Sequence, residues 1–142
     1  MSSCSAKYEF LGDIRLRWRR RDEICHKYGF EIDPRKKIYN MSVSEKQTVE
    51  IIKVLYRGAD ILILDEPTAV LTPQETQKLF AVLRRMRDDG KCIIIITHKM
   101  HEVEELSDRV TILRQGQYID DMPTSDTNAQ EMTNMMVGHS VT

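Results

Sequence analysis

The stretch that decides the fold reads Ile61-Leu62-Ile63-Leu64-Asp65-Glu66-Pro67-Thr68. Four consecutive apolar residues predict a short strand that is buried on both faces of a parallel sheet. The two acids then fall at the carboxyl end of that strand, where open α/β sheets bind their ligands. One acid there can hold Mg²⁺ and the next can polarise a water for attack on phosphorus. The spacing alone leaves open that the pair only solvates a loop.

Capping residues and apolar spacing predict the helices on either side of this strand. Ser42 and Glu45 have the spacing of a capping box, in which a hydroxyl and a carboxylate satisfy the free amides of a helix start, so a helix is expected over about 44–57. Residues 72–75, Thr-Pro-Gln-Glu, repeat the box with proline at the first helical position. The buried face expected for this second helix consists of Leu79, Val82, Leu83 and Met86.

Strand and helix continue to alternate toward the C-terminus. Cys92–Ile96 predicts a second buried strand, and Val110–Leu113 a strand that turns at Gln115-Gly116 into Tyr118-Ile119. Two further helices are expected, at 100–106 and 129–137, with a polar, turn-rich stretch over 120–128. This order predicts the α/β class with parallel strands flanked by helices.

A separate helical piece is predicted upstream. Apolar residues between Tyr8 and Tyr28 recur at helical spacing, and Gly29 supplies the stop. Residues 30–40 are predicted as a loop, since the residue before a proline avoids helical geometry. The helical piece also holds an arginine run, which is typical of a solvated helix face or, less often, of a nucleic-acid patch. The run consists of Arg15, Arg17, Arg19, Arg20 and Arg21.

Composition limits the class of protein. The chain has 142 residues, of which 41% are hydrophobic, and a formal net charge of −1. No uninterrupted apolar run is longer than five residues, so the sequence predicts no membrane helix and no signal peptide. The three cysteines, Cys4, Cys25 and Cys92, form no C-x-x-C pair and indicate reduced thiols. The expectation is a soluble, cytoplasmic domain.

Four segments, in order, resemble the motifs of ABC-type ATPases. Residues 61–68 are similar to the Walker B segment, and residues 41–45, Met-Ser-Val-Ser-Glu, stand where the family has its Leu-Ser-Gly-Gly-Gln signature. Residues 69–72 occupy the place of the D-loop, and Thr97-His98 the place of the switch histidine. The sequence of residues 49–75 most resembles the first nucleotide-binding module of importers for simple sugars and nucleosides.

The resemblance implies a role for each matching residue. Asp65 would coordinate Mg²⁺, Glu66 would orient or deprotonate the attacking water, and His98 would reach the γ-phosphate of ATP. The signature segment would bind ATP held by the opposite module, through Ser42, Val43, Ser44 and Glu45. The implied partners are transmembrane permease subunits and a second nucleotide-binding module, with a peripheral location on the cytoplasmic face of the inner membrane and no nucleic acid.

Three departures from the family pattern bear on activity. Ser44 replaces a glycine where the backbone should approach phosphate closely, and Thr72 replaces the D-loop aspartate. No G-x-x-x-x-G-K-[ST] phosphate loop occurs, because the six glycines include no pair five apart. The chain is therefore expected to be about half of a module, an incomplete P-loop NTPase core. Its predicted divisions are 1–40 as a helical remnant, 41–122 as the catalytic part and 123–142 as a terminal helix and linker.

Other interpretations stay open on the sequence. A catalytically inactive binding or regulatory module fits the missing phosphate loop, and a DNA-repair ATPase of the same superfamily fits the basic N-terminus. His98 with His101 could form a metal pair, although no third ligand is nearby. The chain alone is expected not to hydrolyse ATP, and its exposed apolar strands are expected to make it a homodimer or a larger species.

Overall fold

The computed structural model describes residues 19–31 and 38–138. The described residues form two compact units, one within 19–64 and 68–94 and one of 65–67 and 95–138. No helix among the described residues is both long enough and apolar enough to cross a membrane.

The first unit begins, in its described part, with a helix, α1, over residues 19–28. Gly29 ends it with φ +75°, and the Phe30 N–H donates to the Cys25 carbonyl at 2.9 Å. This bond closes the Schellman arrangement of a helix C-terminus and confirms Gly29 as the stop. The upstream part of the predicted helix, 8–18, lies outside the described residues, as does most of the predicted loop. A 3₁₀ turn at Ile38–Asn40 ends that segment.

Two longer helices belong to the first unit, and both start where their caps predicted. Helix α2 spans Val43–Tyr56 with Ser42 as its N-cap. Helix α3 spans Pro73–Asp88 with Thr72 as its N-cap. The buried residues of α3 include the whole predicted face and one more: Leu79, Phe80, Val82, Leu83 and Met86.

The first sheet pairs β1 (Ile61–Asp65) with β2 (Cys92–Ile96). The Cys92 N–H donates to Asp60 at one end, and the Glu66 N–H donates to Ile96 at the other, both at 2.8 Å, so the strands run parallel as predicted. The prediction that both strands are buried was wrong, because β1 is buried on one face only and no residue of β2 is buried. Leu62 is 6% exposed, but the side chains on the opposite face, Ile61 and Ile63, are 58% and 62% exposed, because nothing in the described chain covers them.

The second unit contains α4 (Met100–Leu106), β3 (Arg109–Arg114), β4 (Gln117–Pro123) and α5 (Ala129–Val137). Strands β3 and β4 form an antiparallel hairpin with a register shift after Ile112. The turn residues Gln115 and Gly116 both have positive φ, 51° and 75°, which is the twist that a two-residue type I′ turn requires. Strand β4 also extends through residues 120–123, which were predicted as part of a polar turn-rich stretch.

The core of the second unit is rich in methionine. Its buried members are Met100, Val110, Ile112 and Met132, of which Met132 is fully buried. Three more methionines pack against this cluster from partly buried positions: Met122, Met135 and Met136. Helix α5 contacts both α4 and β3, so the hairpin and the two helices share one core.

Candidate active site

Asp65, Glu66 and His98 lie in the second unit, at the ends of β1 and β2. Asp65 is the last residue of β1, and its side chain is exposed. His98 follows β2 by two residues. Since the two strands are parallel, their carboxyl ends meet at one edge of the sheet, as the sequence predicted.

Glu66 has an unusual backbone. Its φ is +45°, in the left-handed region that residues other than glycine rarely adopt. Its N–H donates to the Ile96 carbonyl at 2.8 Å, which extends the sheet ladder by one bond and fixes the turn. Strained backbone of this kind is concentrated at functional sites, because a fixed side-chain direction can require it.

The Glu66 carboxylate meets the imidazole of His98. Glu66 Oε1 lies 2.8 Å from His98 Nδ1, with the Glu66 side chain 35% exposed and that of His98 70% exposed. An ionised carboxylate only accepts hydrogen bonds, so Nδ1–H donates to it. This contact occupies Nδ1 and leaves Nε2 for a ligand.

The second carboxylate oxygen of Glu66 is in a different environment. Oε2 is buried and has no hydrogen-bond partner among the described residues. A buried carboxylate oxygen without a partner costs free energy, because it has lost its bonds to water. Among the described residues, Oε2 is therefore a buried acceptor whose hydrogen-bonding capacity is unused.

The side chains at this edge of the sheet determine how Mg²⁺ could bind. The described residues contain no group of three or more His, Cys, Asp or Glu side chains that could hold a metal ion. A single exposed carboxylate at Asp65 fits the other mode of Mg²⁺ binding, in which one or two carboxylates share the ion with nucleotide phosphates and water.

The signature segment belongs to the first unit. Ser42 Oγ accepts from the Glu45 N–H at 3.2 Å, so the serine half of the predicted capping box is present. Val43 is 58% exposed, and Ser44 is half-buried with its carbonyl accepting from Thr48 Oγ1 at 3.0 Å. The first amides of α2 have no partner within the helix and give this end a positive potential.

Thr72, which replaces the D-loop aspartate, caps α3. Its Oγ1 accepts from the Glu75 N–H at 3.3 Å, and its own N–H donates to Glu75 Oε2 at 2.9 Å. The full reciprocal capping box is therefore present. Threonine and aspartate are both good N-caps, which gives this departure a structural explanation.

Sequence reasoning identified Glu66 and His98 separately and missed the bond between them. It named Thr97 beside His98 but missed its contact, in which Thr97 Oγ1 accepts from the Lys99 N–H at 3.1 Å and stabilises the turn that carries His98. A threonine two residues before the bonded amide is the available sequence signal for such a turn. The contact between Glu66 and His98 spans 32 positions and has no local signal.

The sequence of this chain is similar to that of known proteins. Residues 6–69 match the family described as ABC transporter. The chain is 50% identical over 123 residues to a glucose import ATP-binding protein, TsgD13 of Haloferax volcanii, covering 87% of this chain and 22% of that protein. It is 47% identical over 119 residues to a nucleoside import ATP-binding protein, NupA of Lactococcus lactis, covering 84% and 24%. The chain thus spans about a quarter of the length of these relatives.

Solved structures agree on the fold. A structure of cbiO1 from Clostridium perfringens, part of the ABC transporter complex cbiONQ, has a TM-score of 0.68 at 30% identity, covering 76% of this chain and 43% of that one. MJ1267, an ATP-binding cassette of an ABC transporter, has a TM-score of 0.68 at 20% identity, covering 84% and 46%, and supports the fold alone. The α/β class with parallel strands, predicted from the sequence as part of a P-loop NTPase core, is confirmed.

Proposed function

We propose, from the premise that this chain belongs to the ABC transporter ATP-binding family, that it supplies the hydrolytic edge of an ATPase that drives import of a sugar or nucleoside. The observation that carries the proposal is the 2.8 Å contact between His98 and Glu66. Glu66 directly follows Asp65 in the sequence. The relatives named above, a glucose import and a nucleoside import ATP-binding protein, support the class of solute.

Glu66 is the residue proposed to act on water. Its Oε2 has no hydrogen-bond partner among the described residues, and a side-chain movement that uncovers this oxygen would let it accept a hydrogen bond from water and orient that water for attack on the γ-phosphorus of ATP. The bond from His98 to Oε1 fixes the carboxylate, so Oε2 keeps its direction. Orienting a nucleophile is the main protein contribution to phosphoryl transfer, in which little covalent chemistry is left to side chains.

His98 is proposed to contact the γ-phosphate through Nε2. With Nδ1–H already donated to Glu66, Nε2 can donate to a phosphate oxygen only when the ring carries its second proton. The imidazolium then lies between two anions, the carboxylate and the phosphate, and stabilises charge that develops in the transition state.

Asp65 is the proposed Mg²⁺ ligand, sharing the ion with nucleotide oxygens. Asp65 would hold the ion from the protein side, and the ion would supply positive charge that offsets part of the charge on the phosphates. The exposed carboxylate at the end of β1 is free to approach that ion from the protein side. ATP and Mg²⁺ are thus the proposed ligands of this edge.

The signature segment is proposed to serve a second nucleotide site. Ser42, with Val43, Ser44 and Glu45, would contact the γ-phosphate of ATP bound to a partner module, because the positive dipole end at the start of α2 favours an anion. The other proposed partners are permease subunits, which would place the assembly on the cytoplasmic face of the membrane.

The proposal is tested in a chimera of the Lactococcus lactis relative, with its matching 119-residue stretch replaced by the sequence of this chain. Glu66→Gln should reduce single-turnover hydrolysis by roughly 100-fold or more while nucleotide affinity stays nearly constant. Asp65→Asn should weaken Mg-ATP binding as well, since the ion is held in the ground state too. His101→Gln, a change at an exposed residue of α4, is the matched control. Full hydrolysis with Glu66→Gln would refute the role of this carboxylate.

A catalytically inactive binding module is the second candidate, and Ser44 is the observation that favours it. A side chain at this half-buried position narrows the approach of phosphate to the start of α2. Ser44→Gly in the same chimera should raise hydrolysis if the segment binds nucleotide. If hydrolysis is absent in the chimera and does not appear with Ser44→Gly, the inactive module becomes the better description.

A further inference from the structure

The end of α1 is held on α3 by three side chains. Tyr28 OH donates to Asp89 Oδ2 at 2.6 Å, and Lys27 Nζ lies 3.0 Å from the same oxygen. Asp89 is the C-cap residue of α3, so the contact joins the last turn of one helix to the last turn of another. All three residues belong to the first unit.

The two helices that this contact joins differ in how many of their residues are buried. Tyr28 is 4% exposed and is the one buried residue in the described part of α1, where Ile24 and Cys25 are half-buried and most of the rest are exposed. Helix α3 has five buried residues and a complete capping box. Because a helix with little buried surface separates at low cost, α1 depends on Tyr28 more than α3 depends on Asp89.

Neighbouring residues fit the same geometry. Gly29 packs against Arg85 of α3, and a Cβ at position 29 would overlap the guanidinium group. Phe30 contacts the Tyr28 ring edge-on, with centroids 6.4 Å apart. Lys78 of α3 reaches Glu31 at 3.1 Å, although both side chains are more than 70% exposed and the pair contributes little.

We propose that Tyr28, Asp89 and Lys27 form a conformational latch, whose release frees the α1 segment, residues 19–31, from α3 while α3 stays folded. The buried hydroxyl of Tyr28 makes the latch cooperative. If Asp89 is removed, that hydroxyl stays buried without an acceptor, so the segment gains by leaving and hydrating it. This latch does not depend on the proposed catalytic function.

Cys25 supplies a chemical probe of release. The thiol lies on α1, and burial raises its pKa despite the nearby Arg21 guanidinium. Cys25 is half-buried, and we expect release of the segment to expose its thiol further and so to speed its reaction. Labelling is measured with a neutral disulfide reagent in the full chain carrying Cys4→Ser and Cys92→Ser, so that Cys25 alone reacts.

The expected result is at least about a fivefold faster Cys25 labelling in Asp89→Ala, matched by faster hydrogen exchange of amides 19–31 and unchanged exchange in 73–88. Tyr28→Phe should have a smaller effect, since it removes the hydrogen bond together with the hydroxyl that would otherwise stay buried without an acceptor. The double variant Tyr28→Phe with Asp89→Ala should label no faster than Asp89→Ala alone, because the two residues act through one contact.

Tyr118→Phe is the matched control. Tyr118 also donates to an aspartate, Asp121, at 3.2 Å, but it is 62% exposed and lies in the second unit, so its loss should leave Cys25 labelling unchanged. Three outcomes would overturn the latch: unchanged labelling in Asp89→Ala, additive effects in the double variant, or exchange that rises equally in 19–31 and 73–88. The last outcome would show global unfolding instead of local release.

Discussion

The two strand pairs of this chain differ in the polarity of the side chains on their exposed faces. In β3, Val110 and Ile112 are buried while Thr111 between them is exposed, so polarity alternates with the faces. In β1, the buried Leu62 lies between Ile61 and Ile63, which are more than half exposed. The hairpin therefore carries residues suited to one wet face, whereas β1 carries residues suited to two covered faces. The side chains on each face of a strand indicate whether that face is suited to burial, even where no described residue covers it.

The largest expected effect follows from the uncovered face. Ile61, Ile63 and Ile94 of the first unit are exposed by 58%, 62% and 46%, and contiguous apolar surface of this kind promotes association. The chain should be a dimer or larger by light scattering at micromolar concentration, and Ile63→Lys should shift it toward monomer without loss of helix content. A clean monomer for the unaltered chain would contradict this.

The hairpin unit should respond to core substitutions instead. Met132 is fully buried in its methionine-rich core, so Met132→Ala should lower the free energy of unfolding by about 2–5 kcal/mol. Val137→Ala, on the same helix at 46% exposure, should change it by no more than about 0.5 kcal/mol. Urea unfolding followed at this unit measures both. Equal effects would mean that the core of the second unit is not packed as described.

Loss of the N-cap of α3 should have an effect of intermediate size on the free energy of unfolding. Thr72→Ala removes one half of the capping box of α3 and should cost about 1 kcal/mol of unfolding free energy. Thr72→Asp keeps an acceptor at the N-cap and should be nearly neutral, which makes it the matched control. If Thr72→Asp were as damaging as Thr72→Ala, the interpretation of Thr72 as a cap would be wrong.

The smallest effect is on pH dependence. The hydrogen bond from Tyr28, followed by that from Lys27, lowers the pKa of Asp89 below its ordinary value of 3.8, and Lys91 acts in the same direction. A lowered carboxyl pKa stabilises the fold above the ordinary value, and this contribution is lost as pH falls through the folded-state value. Asp89→Asn should flatten the loss of stability in acid, measured by urea midpoints, more than Asp88→Asn does.

Local signals in the sequence were sufficient for most elements. Caps at Ser42, Thr72 and Gly29, together with the apolar runs of β1 and β2, located helices and strands correctly, since these features act over a few residues. The exposed face of β1 could not be predicted, because burial depends on what the rest of a protein supplies. Strand β4 was predicted too short, since the polar residues Asp120 and Asp121 favour turns while the hairpin register holds them in the ladder.

The candidate site was predictable in its parts but not in its geometry. A run of apolar residues followed by two acids places Asp65 and Glu66 at a strand end, and the strand–turn pattern does the same for His98. The left-handed backbone of Glu66 and its contact with His98 arise from sheet pairing between distant segments, which no local pattern records. The roles assigned to these residues stay predictions until the variants are measured.

The methionine-rich core of the second unit also determines how the protein responds to oxidants. Met122, Met135 and Met136 are partly exposed and touch the buried cluster. Conversion of a thioether to its sulfoxide places a polar, bulkier group against Met132 and Ile112, which disrupts packing. Peroxide damage to this unit should therefore begin at those three side chains, and mass spectrometry should find their sulfoxides before that of Met132.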